Sequence, residues 1–187
     1  KAKKILAFLS AVEPLKTVTR HSWNSDGRHE SVAEHCWRMA VLACLVGDEF
    51  PDVDMFKVMI MCLLHDLGEI EGDVPAFEKQ DTDDAVESEH VKQLVQILPA
   101  EFAVKISSLH EEFTSAKTPE AKLANALDKL EAVIQHNDAD LSTWIDLEYD
   151  LNLTYGESQT AYHPFLSTLR DLVKQHTVEK LNLETKT

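Results

Sequence analysis

Four side chains stand in the right company to bind a metal ion. His35 follows Ser31-Val32-Ala33-Glu34 and precedes the apolar face of a helix, while His65 and Asp66 end the apolar run Val58-Met59-Ile60-Met61-Cys62-Leu63-Leu64. Asp128 falls among apolar neighbours in Leu123-Ala124-Asn125-Ala126-Leu127-Asp128-Lys129-Leu130. Desolvating a lone carboxylate is costly or shifts its pKa, so a buried aspartate needs a partner. One shared cation would offset that cost. Two imidazoles and two carboxylates suit a single divalent transition metal (Mn, Fe, Co, Ni or Zn) and leave positions open for water and substrate. The pattern alone is short, since this composition yields about 0.7 His-Asp dipeptides by chance. Taken singly, His35 could be a satisfied core histidine, and Asp128 could pair with Lys129 or Arg38. The context favours chemistry: His65-Asp66 puts charge at the end of an apolar helix, with Glu69 and Asp73 just beyond.

Helices have to position these groups. Ile5, Leu6, Phe8, Leu9 and Val12 recur at helical spacing and predict a first helix ending near Pro14. Ser31 and Glu34 form a capping box that starts a helix to about Phe50. A third helix is expected from about Asp54 to His65, apolar on every side and therefore central and buried. Pro99, Pro119 and Pro164 each read as the first residue of a new helix. Helices are expected near 84–97, 99–115, 119–137 and 164–176, with a looser one near 142–150 and loops at 14–30 and 67–83. No strand-length alternation is evident. The expectation is one all-α, single-domain helical bundle spanning 1–187.

Composition narrows the function. A chain of 187 residues with 44% hydrophobic and 27% charged residues is ordinary for one soluble domain. Its 33 acidic against 18 basic residues give a net charge of −15, which repels a phosphate backbone and argues against a nucleic-acid polymer as partner. Cys36, Cys44 and Cys62 form no C-x-x-C pair and sit in apolar stretches, so buried, reduced thiols are expected. No stretch approaches the ~20 apolar residues of a membrane span. The start Lys1-Ala2-Lys3-Lys4-Ile5 lacks the apolar length of a signal peptide and reads as a trimmed end, so a cytoplasmic protein is expected. The acidic run Glu78 to Glu89, with Asp81, Asp83 and Asp84, reads as a solvated loop and helix start.

Glu30-Ser31-Val32-Ala33-Glu34-His35-Cys36-Trp37-Arg38-Met39-Ala40, then His65-Asp66, then Asp128-Lys129-Leu130-Glu131 resembles the HD-domain metal-dependent phosphohydrolases, nearest the 5′-deoxynucleotidase-like branch. The likeness covers roughly residues 5–140. It implies that His35, His65, Asp66 and Asp128 bind the metal. It also implies that Glu69 orients or deprotonates the attacking water, with Asp66 able to relay the proton. On a continuing helix, Glu69 four residues after His65 would share the ligand face. Arg20 and Trp23 match the positions that contact substrate phosphate and border the sugar. Asp73 matches the aspartate that contacts the sugar 3′ position, although only Ile70 and Glu71 separate Glu69 from Gly72-Asp73, one residue fewer than the family pattern.

The resemblance implies a phosphomonoesterase acting on (deoxy)nucleoside 5′-monophosphates, and a homodimer. The alternatives are a phosphodiester or pyrophosphorylated-nucleotide hydrolase of the same superfamily, or a non-catalytic metal- and nucleotide-binding protein. Arg28 and Arg38 are further phosphate candidates. His90 and His110 are candidates for a second metal, though charged neighbours place both on solvated edges. His21, His29, His136, His163 and His176 have no converging partners in the sequence and read as surface or capping residues.

Overall fold

The computed structural model describes residues 1–184, apart from the side chains of Asp81, Asp84 and Glu184. Two members of the expected acidic run and residues 185–187 of the expected domain therefore lie outside the described residues. The chain runs through α1 (Ala2–Ala11), a hairpin of β1 (Thr19–Trp23) and β2 (His29–Ser31), α2 (Val32–Val46), α3 (Met55–Leu64), α4 (Asp81–Gln96), α5 (Ala100–Ser115), α6 (Pro119–Asp138), α7 (Asp146–Thr154), α8 (Glu157–Thr160) and α9 (Pro164–Glu184). The fold is all-α apart from the two short strands. No helix among the described residues is long and apolar enough to cross a membrane.

The helix starts follow from local chemistry. Glu34 N–H donates to Ser31 Oγ (3.3 Å), and Ser31 N–H donates to Glu34 Oε2 (2.9 Å), so the capping box closes in both directions at the head of α2. At α6, Ala121 N–H donates to Thr118 Oγ1 (3.2 Å) ahead of Pro119. The larger core joins α2, α3, α6 and α9. Its centre is α6, whose Leu123, Ala124, Ala126, Leu127, Leu130 and Val133 are fully buried. A second core packs α1 and α4 over Val32, Cys36 and Leu67.

Three expectations are corrected here. Helix α3 is not buried on every side: Phe56 and Leu63 are exposed, and α6 takes the central place instead. Cys44 is exposed, on the side of α2 away from the core, whereas Cys36 and Cys62 are buried thiols. The 14–30 loop contains the β1–β2 hairpin, with Thr19 opposite Ser31 and Trp23 opposite His29. A register irregularity interrupts the pairing, and the second strand has three residues, too few for an alternation to be legible.

After Leu64 the chain leaves the α-helix for a tighter 3-10 segment, His65–Glu71, with kinks at Asp66 and Glu69. Gly68 lets this segment lie on α4, because a β-carbon there would stand 2.6 Å from the Glu87 carbonyl oxygen. Gly68→Ala should therefore cost roughly 1–3 kcal/mol, the range for overpacking, read as a lowered denaturation midpoint. An unchanged midpoint would show that the segment tolerates being pushed off α4.

Candidate metal centre and active site

The four predicted ligands come from three elements: His35 from the first turn of α2, His65 and Asp66 from the 3-10 segment, and Asp128 from the middle of α6. They meet. His35 Nε2 lies 3.2 Å from Asp128 Oδ1 and 3.8 Å from Asp66 Oδ2, and His65 Nε2 lies 3.1 Å from Asp66 Oδ1 and 4.0 Å from Asp128 Oδ1. One donor atom each from His35, His65 and Asp66 fits within a 4.8 Å span.

Second partners orient both imidazoles. His35 Nδ1–H donates to Glu131 Oε2, and His65 Nδ1–H donates to the Cys62 carbonyl (3.0 Å). Each Nε2 thereby faces the carboxylates, and both atoms are buried without a hydrogen-bond partner. Imidazoles fixed through Nδ1 and presenting Nε2 are the usual arrangement of metal-binding histidines. The electrostatics agree. Burial disfavours charge on either ring, yet Glu131 and Asp128 hold His35 above its ordinary pKa, and Asp66 does the same for His65. Burial likewise opposes ionisation of the two aspartates, but His65 beside Asp66 and Lys129 beside Asp128 keep both well below the usual carboxylate range. The residues fit a dication.

Glu69 reaches the same cavity by a different local route from the one expected. The α-helix does not continue, but in the 3-10 segment residues three apart share a face, which brings Glu69 beside Asp66. Burial first, then Asp66 and Asp73, push its carboxyl up to about 10, and its Oε2 has no partner. Asp73 lines the cavity despite the shortened loop. Arg20 also lines it, with Nε and Nη1 buried and unpartnered and Glu30 Oε2 3.7 Å from Nε. Burial works against its charge, but Asp66, Glu30, Glu131 and Asp73 hold it protonated beyond its ordinary range.

Other expected residues sit elsewhere. Trp23 is not among the described residues lining the cavity; its ring packs on His29 across the hairpin, 3.9 Å between centroids. Strand alternation sends it to a different face from Ser22. Arg28 is exposed and tied to Glu34 and Asp26, and Arg38 pairs with Asp138 and Gln135. Of the two ion pairs considered for Asp128, Lys129 makes one (2.8 Å to Oδ2), leaving Oδ1 to the histidines. His90 binds the Gly68 carbonyl away from the cavity, whereas His110 is half-buried and lines it rather than standing in solvent.

Several residues escape the sequence reading. Glu131 is fully buried and one turn of α6 from Asp128, an i,i+3 signal that was there to be found. His21 and His136, expected at the surface, both line the cavity and converge on Glu148 of α7. The cavity measures about 300 Å³, at the lower end of small-molecule sites.

Known proteins resemble this chain over most of its length. The family model described as HD domain matches residues 12–170. The human 5′-deoxynucleotidase HDDC2 is 33% identical over 153 residues, covering 79% of this chain and 72% of that protein. The Schizosaccharomyces pombe 5′-deoxynucleotidase hdd1 is 31% identical, covering 72% of each. Among solved structures, a predicted metal-dependent phosphohydrolase from Magnetospirillum magnetotacticum superposes with a TM-score of 0.80 at 26% identity, covering 96% of this chain and 93% of that one.

Proposed function

The chain belongs to the HD-domain family of metal-dependent phosphohydrolases, and from that premise we propose that it is a phosphomonoesterase releasing phosphate from deoxynucleoside 5′-monophosphates. The observation that carries this reading is a pair of buried imidazole nitrogens that make no hydrogen bond and face two carboxylates, with an arginine on the same cavity whose Nε and Nη1 make no hydrogen bond. His35, His65, Asp66 and Asp128 hold one divalent transition metal, drawn from Mn, Co, Fe, Ni or Zn. When bound, such an ion supplies the charge that makes water nucleophilic near neutral pH and attracts a phosphoryl oxygen.

The chain's own residues do the rest. Arg20 presents fixed guanidinium donors to the phosphoryl oxygens, in a protein whose net charge of −15 would otherwise repel the substrate. Burial, Asp66 and Asp73 favour the protonated form of Glu69, and a dication bound nearby would favour its carboxylate. As a carboxylate it orients the attacking water and takes its proton, with Asp66 beside it to relay. Asp73 meets the sugar, and Trp23 supports the hairpin that carries Arg20.

Metal-loaded protein should release phosphate from 5′-monophosphates and leave phosphodiesters intact. Failure on every monoester, or faster cleavage of a diester, would overturn the assignment.

We further propose a homodimer in the cytoplasm. The three free cysteines suit a reducing compartment. Trp37, Val41 and Leu45 form an exposed i, i+4, i+8 stripe on α2, and Phe56 and Leu63 are exposed on α3, which packs against α2. Exposed apolar side chains repeated along one helix face suit an interface with a second copy of the chain. Light scattering should give twice the chain mass for the wild type and the single mass for Trp37→Glu/Leu45→Glu. A monomeric wild type would refute the dimer.

A further inference from the structure

Away from the four metal-binding candidates, the cavity wall holds a second polar cluster. His21 Nε2 lies 3.1 Å and His136 Nε2 3.3 Å from the same oxygen, Glu148 Oε1. Glu148 is 1% exposed, and its other oxygen accepts the Ile145 N–H at 2.9 Å, so the carboxylate is fixed at the head of α7. One turn further along α7, Asn152 is 2% exposed, lines the cavity, and has an Nδ2 with no partner. Phe77 meets the His21 ring edge to face, 5.4 Å between centroids, and also lines the cavity. Burial first, then His21 and Arg20, push His136 down to about 4, so its ring is neutral. Neither His21 Nε2 nor Glu148 Oε1 makes a hydrogen bond, so these two atoms and Asn152 Nδ2 are buried polar groups left unsatisfied on the cavity wall.

The distance from the metal-binding groups is set by one helix. Asp128, Ala132 and His136 all line the cavity and lie four residues apart on α6. At 1.5 Å per residue, His136 stands ~12 Å along the axis from Asp128. That separation is about the length of a nucleoside monophosphate from its phosphorus to the far edge of its base. We propose that His21, His136 and Asn152, grouped around Glu148, form the recognition site for the heterocyclic base of the substrate, reading its adjacent donor and acceptor. The assignment rests on the phosphomonoesterase reading for its substrate class, and it adds the end of the molecule that this reading leaves open.

The test compares 2′-deoxyadenosine 5′-monophosphate with the base-free ester 2-deoxyribose 5-phosphate on metal-loaded protein. Wild type should favour the nucleotide in kcat/KM, and His136→Leu should lower that ratio by about tenfold, chiefly through KM, as loss of a hydrogen bond in a desolvated site predicts. His21→Leu should act in the same direction. A ratio unchanged in both variants, whatever happens to the two rates together, would overturn the proposal. In the wild type, ¹⁵N spectra of labelled histidine should show ring-nitrogen resonances of His21 and His136 moving with added nucleotide and holding still with the base-free ester. Identical responses would also overturn it. If no monoester is hydrolysed but the nucleotide still moves those resonances, the recognition site stands and the catalytic reading falls.

Discussion

Asp128→Ala should release the metal and abolish phosphate production while the helices remain. Asp128 sits in the fully buried stretch of α6, with Oδ1 3.2 Å from His35 Nε2 and Oδ2 2.8 Å from Lys129. Losing an outer partner of a metal ligand typically costs 10–100-fold in affinity or activity, so losing the ligand itself should cost at least about 10³-fold in phosphate release. The substitution also strands Lys129, so Asp128→Asn is the companion: its amide oxygen keeps an acceptor near Lys129 but removes the charge. Both should come off a desalting column with far less than one metal per chain, with wild-type far-ultraviolet circular dichroism. Full activity with bound metal in either variant would remove Asp128 from the ligand set.

Glu69→Gln should separate holding the metal from using it. Glutamine keeps the shape of the side chain and cannot accept a proton. Glu69 lines the cavity beside Asp66 in the same 3-10 segment but is not one of the four proposed ligands. Metal content should therefore equal that of the wild type, while kcat falls about 10²–10⁴-fold, the usual contribution of a positioned general base. KM should change little, because the loss is confined to the transition state. Retained kcat would assign the water's proton to another group, and lost metal would place Glu69 among the ligands.

What could be read from the chain and what could not divides along sequence distance. Ser31 and Glu34 are three residues apart, and their reciprocal capping, which sets the start of α2 and the position of His35, is written locally. Pro119 with Thr118 fixes the start of α6 in the same way. The central role of α6 was less legible, because Val58 to Leu64 is the more apolar run and yet leaves Leu63 in solvent. Apolar density measures what a helix could bury, whereas its neighbours decide what it does bury. His21, His136 and Glu148 lie on three elements more than a hundred residues apart at the extremes, and each alone resembles a surface residue. Only the packing of β1, α6 and α7 brings them together. Glu69 lines the cavity without the i,i+4 spacing of a continuing α-helix, since the helix tightens into a 3-10 segment at His65-Asp66.

The central claim is that His35, His65, Asp66 and Asp128 share one dication. Anomalous diffraction from crystals loaded with manganese or zinc tests it directly. The account predicts one strong peak within about 2.0–2.2 Å of both Nε2 atoms and of one oxygen from each aspartate. A peak at another cluster, or a saturated protein with nothing between α2, the 3-10 segment and α6, would contradict it.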